Sequence, residues 1–130
     1  MTAARLHRVV LRDCNLDGAD LSQAELVSAR LEEVRLNGAR ASGAKLEGSS
    51  WKCVTAVGSV FKAVQASKSS LASVDLTEAD LSESCWQAAT WEGVDASRAK
   101  CGGCNLEQII GSDVNLSGAL LGGARLSRAR

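Results

Sequence analysis

The segment DGADLSQAELVSARLEEVRL, residues 17–36, places leucine at every fifth position and a small residue two places before each leucine. An amphipathic helix repeats its apolar face about every 3.6 residues and a half-buried strand about every two, so a period of five fits neither. A coil that turns a corner after each five-residue unit does fit, because the leucine and the small residue then both point inward. The segment therefore predicts a solenoid.

The same period runs through all 130 residues. We call residues 6, 11, 16 and so on to 126 the centres of the units; of these 25 centres, 15 are Leu, three are Trp and one is Phe. The positions two before a centre, from Ala4 to Ala129, hold only Ala, Val, Ser, Cys and Ile. All 30 formal charges lie on the other three positions, and nine of the 12 glycines lie two places after a centre. We expect these three positions to face solvent, with the glycines at corners.

This pattern resembles the pentapeptide repeat family, whose motif is A(D/N)LXX. The motif occurs as Ala19-Asp20-Leu21 and Ala79-Asp80-Leu81, and in variant form as Cys104-Asn105-Leu106 and Val114-Asn115-Leu116. The resemblance implies an all-β solenoid, a right-handed quadrilateral β-helix with four units per coil and no inserted loops. At the ~4.8 Å spacing of stacked backbones, about six and a half coils would form a rod of roughly 30 Å. We expect residues 1–130 to be a single domain.

Large and small centres alternate in a way that supports this stacking. One coil reads Trp51, Ala56, Phe61, Ala66, and Trp91 would lie between Leu71 and Gly111 in the coils below and above it. Protein interiors tolerate neither voids nor crowding, so we interpret the aromatic centres as packing rather than as an exposed ligand platform. The predicted core includes Leu21, Leu31, Trp51, Phe61, Leu81, Trp86 and Trp91.

The composition limits the classes of partner. Fifteen Lys and Arg balance fifteen Asp and Glu, so no overall field directs the chain to nucleic acid or to a membrane surface. No apolar run is long enough to span a bilayer or to serve as a secretory signal. Five cysteines, an odd number without a small-scaffold spacing, indicate reduced thiols. We therefore expect a cytoplasmic protein that binds neither nucleic acid directly nor membranes, and the family resemblance implies a bacterial one.

Residues that could carry chemistry are few. CGGC at residues 101–104 has the spacing of a redox or zinc site, but Cys101 and Cys104 both fall on inward positions, and the only histidine is His7. We interpret them as core thiols and expect Cys53 and Cys85 to be the accessible ones. Without a nucleophile and a base brought together, we predict no enzyme activity, no cofactor and no metal.

Charge is unevenly distributed along the chain. Residues 34–68, which we call the basic stretch, hold six basic residues against Glu47 alone. Residues 69–97 contain six carboxylates and no Lys or Arg, and we call these six residues the acidic band: Asp75, Glu78, Asp80, Glu83, Glu92 and Asp95. The band is either a chance cluster on a hydrophilic surface or a binding site for a basic partner, whose contacts would weaken in salt.

Two functions fit these features. A rigid noncatalytic scaffold, or protein-interaction module, needs only stability and a surface. The alternative comes from the resemblance: topoisomerase-protecting members of the family are thought to mimic DNA, so the chain would bind a type II topoisomerase, DNA gyrase, and give inhibition or resistance to quinolones or toxins. Neutral overall charge, the absence of an inserted loop and repeats that run to Ala129 disfavour the alternative.

The ends of the rod expose apolar cross-sections, which in solenoids normally need caps. Four leucines gather near the C-terminal end: Leu116, Leu120, Leu121 and Leu126. Either the last coil frays, or rods associate through their ends. We expect a homodimer through the C-terminal end.

Overall fold

Short parallel strands recur along the chain once in every coil. The computed structural model describes residues 4–130. Each strand has three residues, and together they form one parallel sheet in chain order, which places five full turns of the coil between the first strand and the last. The strands are β1 (Val10–Arg12), β2 (Arg30–Glu32), β3 (Ser50–Lys52), β4 (Ser70–Ala72), β5 (Thr90–Glu92) and β6 (Ile110–Ser112).

The other three sides of each coil are held by single-residue parallel bridges between stacked residues of adjacent coils. Examples are Asn15 with Arg35, Asp20 with Arg40 and Glu25 with Lys45. We number the sides from the strands onward. Side 1 has centres 11 to 111, side 2 has 16 to 116, side 3 has 21 to 121 and side 4 has 6 to 126, each in steps of 20. The predicted four-sided β-solenoid is confirmed.

Neighbouring coils are joined by backbone hydrogen bonds of one repeating pattern. Each centre, and each corner residue two places after a centre, donates its N–H to the next coil. The acceptor is the carbonyl of the residue that precedes the one stacked on the donor. Leu36 N thus binds Thr55 O at 2.6 Å, and Gly38 N binds Val57 O at 2.9 Å. In the opposite direction, Thr55 N binds Val34 O at 3.1 Å. Because every coil contributes donors and acceptors in this pattern, the coils cannot slip by one residue without losing the whole set.

The interior is filled by the centres and the small residues beside them. Trp51, Trp86 and Trp91 are each at most 2% exposed, and Phe61 is 1% exposed. Ring centroids lie 5.5 Å apart for Trp51 and Phe61, 6.4 Å for Trp51 and Trp86, and 5.5 Å for Trp86 and Trp91. The four aromatic residues therefore form one continuous cluster through the middle of the rod. Trp91 pairs in register with Gly111, and a Cβ at Gly111 would lie 3.2 Å from the Val114 side chain.

Of the other centres expected in the core, Leu31 and Leu81 are buried, whereas Leu21 is partly buried and packs against the core. The reason is its place near the N-terminal end. Leu6, Leu11 and Leu16 are also only partly buried, because no described coil covers them from below.

Every corner of the solenoid has a left-handed backbone conformation. Each residue two places after a centre, from Arg8 to Arg128, has a φ between 49° and 72°; nine of these corners are glycine and sixteen are not. A residue with a Cβ in this region costs about 1–2 kcal/mol. The sixteen side-chain-bearing corners therefore store strain that the hydrogen bonds and the core must offset.

This geometry predicts opposite effects of two exposed corner substitutions. Gly58→Ala should lower the free energy of unfolding by about 1 kcal/mol, because φ is 62° there although a Cβ would meet no atom within 4 Å. Ala63→Gly, at a corner with φ of 57°, should raise it by a similar amount. Urea unfolding measures both changes.

Gly102→Ala serves as the matched control. Gly102 does not lie at a positive φ, and its Cβ would make only an ordinary contact of 3.6 Å with Gly122 O. It should stabilise the chain, because alanine restricts the unfolded state. Equal effects at Gly58 and Gly102 would contradict the account of the corners.

Two of the three buried tryptophans have a serine as hydrogen-bond acceptor two residues earlier. Trp51 Nε1 donates to Ser49 Oγ at 2.9 Å, and Trp86 Nε1 donates to Ser84 Oγ at 2.7 Å. The equivalent position before Trp91 is Ala89, and Trp91 Nε1 is buried with no hydrogen-bond partner among the described residues. A buried donor without an acceptor destabilises the folded state.

We predict that Ala89→Ser will raise the free energy of unfolding by about 1 kcal/mol, because the new hydroxyl can accept the Trp91 N–H. Ser84→Ala should lower it by about 1–3 kcal/mol, since it leaves the Trp86 N–H unpaired. Ala79→Ser is the control, because it places a hydroxyl two residues before Leu81, which has no donor to offer. An equal gain from Ala79→Ser would refute the role of the indole.

Candidate functional site

The outward side chain just before a centre closes a local turn when it is Asp or Asn. Its Oδ1 accepts the backbone N–H two residues later, as in Asp95 to Ser97 at 2.9 Å and Asn115 to Ser117 at 3.0 Å. The same bond occurs at Asn15, Asp20, Asp75, Asp80 and Asn105. This explains the D/N of the repeat motif, a role that the sequence period alone did not indicate. Because Asp and Asn make the same turn at this position, the two residue types differ there only in charge.

The six carboxylates of the acidic band lie on three sides and two corners. Asp75 and Asp95 are stacked in adjacent coils on side 2 and form a parallel bridge with each other. Asp80 lies on side 3 and Glu92 on side 1, while Glu78 and Glu83 are corner residues. The band therefore wraps around the rod.

Two of the six carboxylates are neutralised by neighbouring coils. Glu78 Oε1 lies 2.9 Å from a guanidinium nitrogen of Arg98, and Glu83 Oε1 lies 3.5 Å from Lys62 Nζ. Within residues 4–130, no salt bridge involves the other four carboxylates of the band. Exposed pairs contribute little stability, but they remove charge from the surface that a partner would contact.

The surroundings of Asp80 differ from those of the Asp75 and Asp95 pair. Burial by itself raises the pKa of Asp80, but hydrogen bonds from Ser82 and the nearby Lys100 and Lys62 together hold the pKa below its usual value. Asp80 is stacked on Lys100 of the next coil through a backbone bridge, without a salt bridge between their side chains. Cations thus accompany this carboxylate. Arg98 is the weakest of the causes that lower the pKa of Asp95, and its salt bridge is with Glu78, so the side 2 pair and Glu92 form the open acidic surface.

The basic stretch is also partly paired with acidic residues of other coils. Lys45 lies 3.3 Å from Glu25, which also accepts from His7 at 2.9 Å, and Arg35 pairs with Asp17. Within the described chain, Arg40, Lys52 and Lys68 have no salt-bridge partner. The charge separation along the rod is therefore weaker than the sequence count suggests.

The CGGC cysteines lie in the core. Cys101 is 1% exposed and Cys104 is fully buried, and Cys104 Sγ donates to Leu81 O at 2.9 Å. The hydrogen bond with Cys104, with burial adding to it, raises the pKa of Cys101. Cys53 is exposed at a corner, whereas Cys85 is half-buried with its Sγ 3.3 Å from Ser67 Oγ. Of the two thiols expected at the surface, Cys53 is exposed and Cys85 is only partly accessible.

Residues 4–130 contain no group of three or more His, Cys, Asp or Glu side chains placed to hold a metal ion. In the same part of the chain, no helix is long and apolar enough to cross a membrane.

At the C-terminal end, the four leucines occupy different positions. Leu116 and Leu121 are partly buried, whereas Leu126 is 45% and Leu120 is 63% exposed. Leu116 and Leu126 line a cavity of about 360 Å³ that also borders Trp91 and Gly111. Leu120 points outward on side 3 instead. The outward Val10, Val57 and Ile110 are also exposed.

The pKa values of several turn-forming carboxylates predict acid sensitivity. Hydrogen bonds from Ser97 hold the pKa of Asp95 below its usual 3.8, those from Ser22 do the same for Asp20, and His7 and then Lys45 lower the pKa of Glu25. A pKa depressed in the folded state stabilises the fold above the unfolded value and loses this contribution as the pH falls through the folded value. Stability should therefore decrease below about pH 4.

We expect Asp95→Asn to reduce this loss, because asparagine keeps the turn, as Asn115 in the next coil does, but does not titrate. Asn105→Asp should increase the loss, since it adds a titrating group in the same turn. Thermal unfolding of both variants at neutral and acidic pH provides the test. An unchanged acid response in both variants would exclude these turns as its source.

Comparison with known proteins agrees with this architecture. The family described as Pentapeptide repeats (8 copies) matches residues 4–40, 14–50 and 75–110. No curated protein matches the chain.

Solved structures give similar folds at low identity. HetL, a pentapeptide repeat protein involved in heterocyst differentiation regulation in the cyanobacterium Nostoc sp. strain PCC 7120, is 16% identical with a TM-score of 0.52, and the match covers 98% of this chain and 89% of HetL. QnrB1, a plasmid-mediated fluoroquinolone resistance protein, is 17% identical with a TM-score of 0.46 over 99% of this chain and 84% of QnrB1. The likeness to HetL supports the fold alone. With its repeats matched over most of its length, the chain belongs to the pentapeptide repeat family.

Proposed function

We propose that this chain is a noncatalytic rigid scaffold that binds another protein through its outward side chains. The main support for this proposal is the stacking of each coil on the next, which is uninterrupted along the described chain. Each coil is hydrogen-bonded to the next, so outward residues of successive coils form straight rows at the coil spacing. Fixed rows limit the conformational entropy that binding would otherwise remove. Pentapeptide repeat proteins in general serve as structural or interaction modules.

The surface that best suits a partner is the open part of the acidic band. Asp75 and Asp95 are adjacent carboxylates on side 2. The Thr77 hydroxyl donates to Asp75 at 2.6 Å, and the Ser97 side chain hydrogen-bonds to Asp95. Glu92, on side 1, adds a third charge. We infer that the partner presents a basic surface here, and that its binding weakens as salt is raised.

The second candidate is mimicry of DNA toward DNA gyrase, as the resemblance to topoisomerase-protecting members implies. The stacked Asp75 and Asp95 favour it, since their carboxylates repeat along an axis. Against it, DNA carries about one charge per 1.7 Å of axis, whereas Glu78 and Glu83 are paired with cations and Lys100 accompanies Asp80. Only a short part of the rod could act in this way.

A reducing, cytoplasmic location in bacteria belongs to the same proposal. The location rests on the odd number of cysteines and their distribution over core and surface positions. The bacterial source rests on the family resemblance alone.

The first experiment distinguishes the two functions. DNA supercoiling by gyrase is measured, with and without a quinolone, across a titration of the chain and of an Asp75→Asn, Asp95→Asn double variant. The double variant loses two charges but keeps both turns, because Asn115 makes the same turn on the same side. Asp20→Asn, in an equivalent turn nearer the N-terminal end, is the control.

The scaffold function predicts that no form of the chain alters supercoiling. It also predicts that a partner captured on the immobilised chain is released by salt, is lost with the double variant and is retained with Asp20→Asn. Inhibition or drug protection that only the double variant loses would instead establish gyrase binding at Asp75 and Asp95. If the unmodified chain, the double variant and Asp20→Asn all retained the partner equally, the binding site would lie outside the acidic band.

A further inference from the structure

The CGGC motif, residues 101–104, forms one corner of the solenoid, between sides 3 and 4. Cys104 N binds Cys101 O at 3.1 Å across this corner, which is a four-residue turn with Gly103 at a φ of 69°. In every unit the chain turns in this way from a centre to the small residue three places later. Only at residues 101 and 104 are both of these residues cysteine.

The turn holds the two cysteines within reach of a disulfide. The first and last Cα atoms of such a turn lie less than about 7 Å apart, and a disulfide requires a Cα separation of about 4.4–6.8 Å. Both side chains point into the core, where the two thiols hydrogen-bond to each other. Joining the two sulfur atoms therefore needs no movement of one coil against another.

The two residues between the cysteines add backbone freedom to this turn. Gly103 occupies the left-handed corner position. Gly102 does not have a positive φ, and its Cβ would make only an ordinary contact, so the solenoid does not require a glycine there. With two glycines in succession, the turn can adjust its dihedral angles at low cost and bring the sulfur atoms to bonding distance.

The corner over the two thiols carries no side chains of its own, because both of its middle residues are glycine. The corner stacked on it in the next coil is Gly122–Gly123, which also has none. Cys101 is 1% exposed and Cys104 is fully buried, so an oxidant reaches them only when this corner opens locally. A small oxidant needs a smaller opening than a bulky one, which favours a peroxide over a bulky disulfide.

The two thiols differ in how readily they ionise. The hydrogen bond from Cys101 lowers the pKa of Cys104 against the effect of burial, and Ser84, whose Oγ lies 3.4 Å from the sulfur, adds to the lowering. The same contact between the thiols raises the pKa of Cys101. Because the thiolate is the reactive form of cysteine, Cys104 is the attacking thiol of the pair.

We propose that Cys101 and Cys104 form a reversible disulfide with hydrogen peroxide as the oxidant. The Cys104 thiolate attacks one peroxide oxygen and breaks the O–O bond, which gives a sulfenic acid and hydroxide. Cys101 Sγ then attacks Cys104 Sγ, the S–S bond forms, and the sulfenic oxygen leaves as water with the Cys101 proton. The proton released when Cys104 ionised neutralises the hydroxide. Two thiols thus lose two electrons, one peroxide becomes two waters, and a dithiol reductant reverses the change.

The core accommodates the oxidised pair. In the reduced form Cys104 Sγ donates to Leu81 O at 2.9 Å, and this hydrogen bond is lost on oxidation. Leu81 O keeps the hydrogen bonds from the backbone N–H and the hydroxyl of Ser84, so no buried carbonyl is left without a donor. The site lies away from Asp75 and Asp95 on side 2, so this modification is independent of the binding function proposed above.

The first test uses the 130-residue chain with Cys14→Ser, Cys53→Ser and Cys85→Ser, which leaves the pair as its only thiols. The reduced chain is treated with equimolar hydrogen peroxide and then unfolded in the presence of a maleimide. It should lose two hydrogens in mass and take up no maleimide, and after dithiothreitol it should take up two. The tryptic peptide 101–125, which contains both cysteines, should carry the bond. Two maleimides after peroxide, added oxygen atoms or a disulfide between two copies would overturn the proposal.

Single-cysteine variants in the same background test the order of attack. Cys101→Ala should stop at the sulfenic acid of Cys104, which dimedone traps. Cys104→Ala should give far less of the adduct, because the pKa of Cys101 is raised by burial among apolar side chains. Equal amounts of adduct in the two variants would refute Cys104 as the attacking thiol.

Gly102→Ala tests the role of the corner and keeps both thiols. It should slow disulfide formation roughly two- to fivefold, since alanine restricts a turn that must open and adjust. Ala63→Gly is the control, because it should raise the stability of the whole chain at a different corner. Its rate of oxidation should be unchanged. If Ala63→Gly slowed oxidation as much as Gly102→Ala, the reaction would proceed through global unfolding and the site in the folded chain would be excluded.

Discussion

The structure depends on the hydrogen bond between a backbone N–H and the carbonyl just before its stacked equivalent in the next coil. This bond fixes each coil at four five-residue units, and the fixed coil length makes the period of five in the sequence possible. A chain without proline suits the arrangement, since any residue at a centre or corner must donate. The left-handed corners follow from the same constraint, because four sharp turns are needed to bring the chain back over itself.

The side chains of the core vary in size, while the hydrogen-bonded backbone of the coils stays the same. The aromatic cluster of Trp51, Phe61, Trp86 and Trp91 adds volume in the middle of the rod, and alanine and glycine at neighbouring centres compensate. The polar requirements of large residues are met in the small positions, as Ser49 and Ser84 do for two of the tryptophans. Where this fails, at Trp91, the backbone does not shift to supply an acceptor.

The sequence period predicted the sides, the inward rows and the pairing of Trp91 with Gly111, because each follows from residue spacing alone. It predicted the positions of Glu78 and Glu83 but not their ion pairs with Arg98 and Lys62, since long exposed side chains reach to neighbouring coils by rotamer choices that spacing does not determine. A positive φ at the sixteen corners without glycine was also not predicted, because residues such as Gln23 and Glu83 disfavour that conformation. The tertiary hydrogen bonds override that local preference.

The quadrilateral coil also limits how such a chain can change length. Insertion of one coil of four units would lengthen the rod while each surface row kept its direction. Insertion of a single unit would keep the pattern of inward and outward positions, but it would change which centres stack across the insertion and would rotate all residues beyond it by a quarter turn. A patch such as Asp75 and Asp95 could then be turned away from another patch without any change in its own residues. The angle between two surface features is thus set by the number of units between them and not by the residues of either feature.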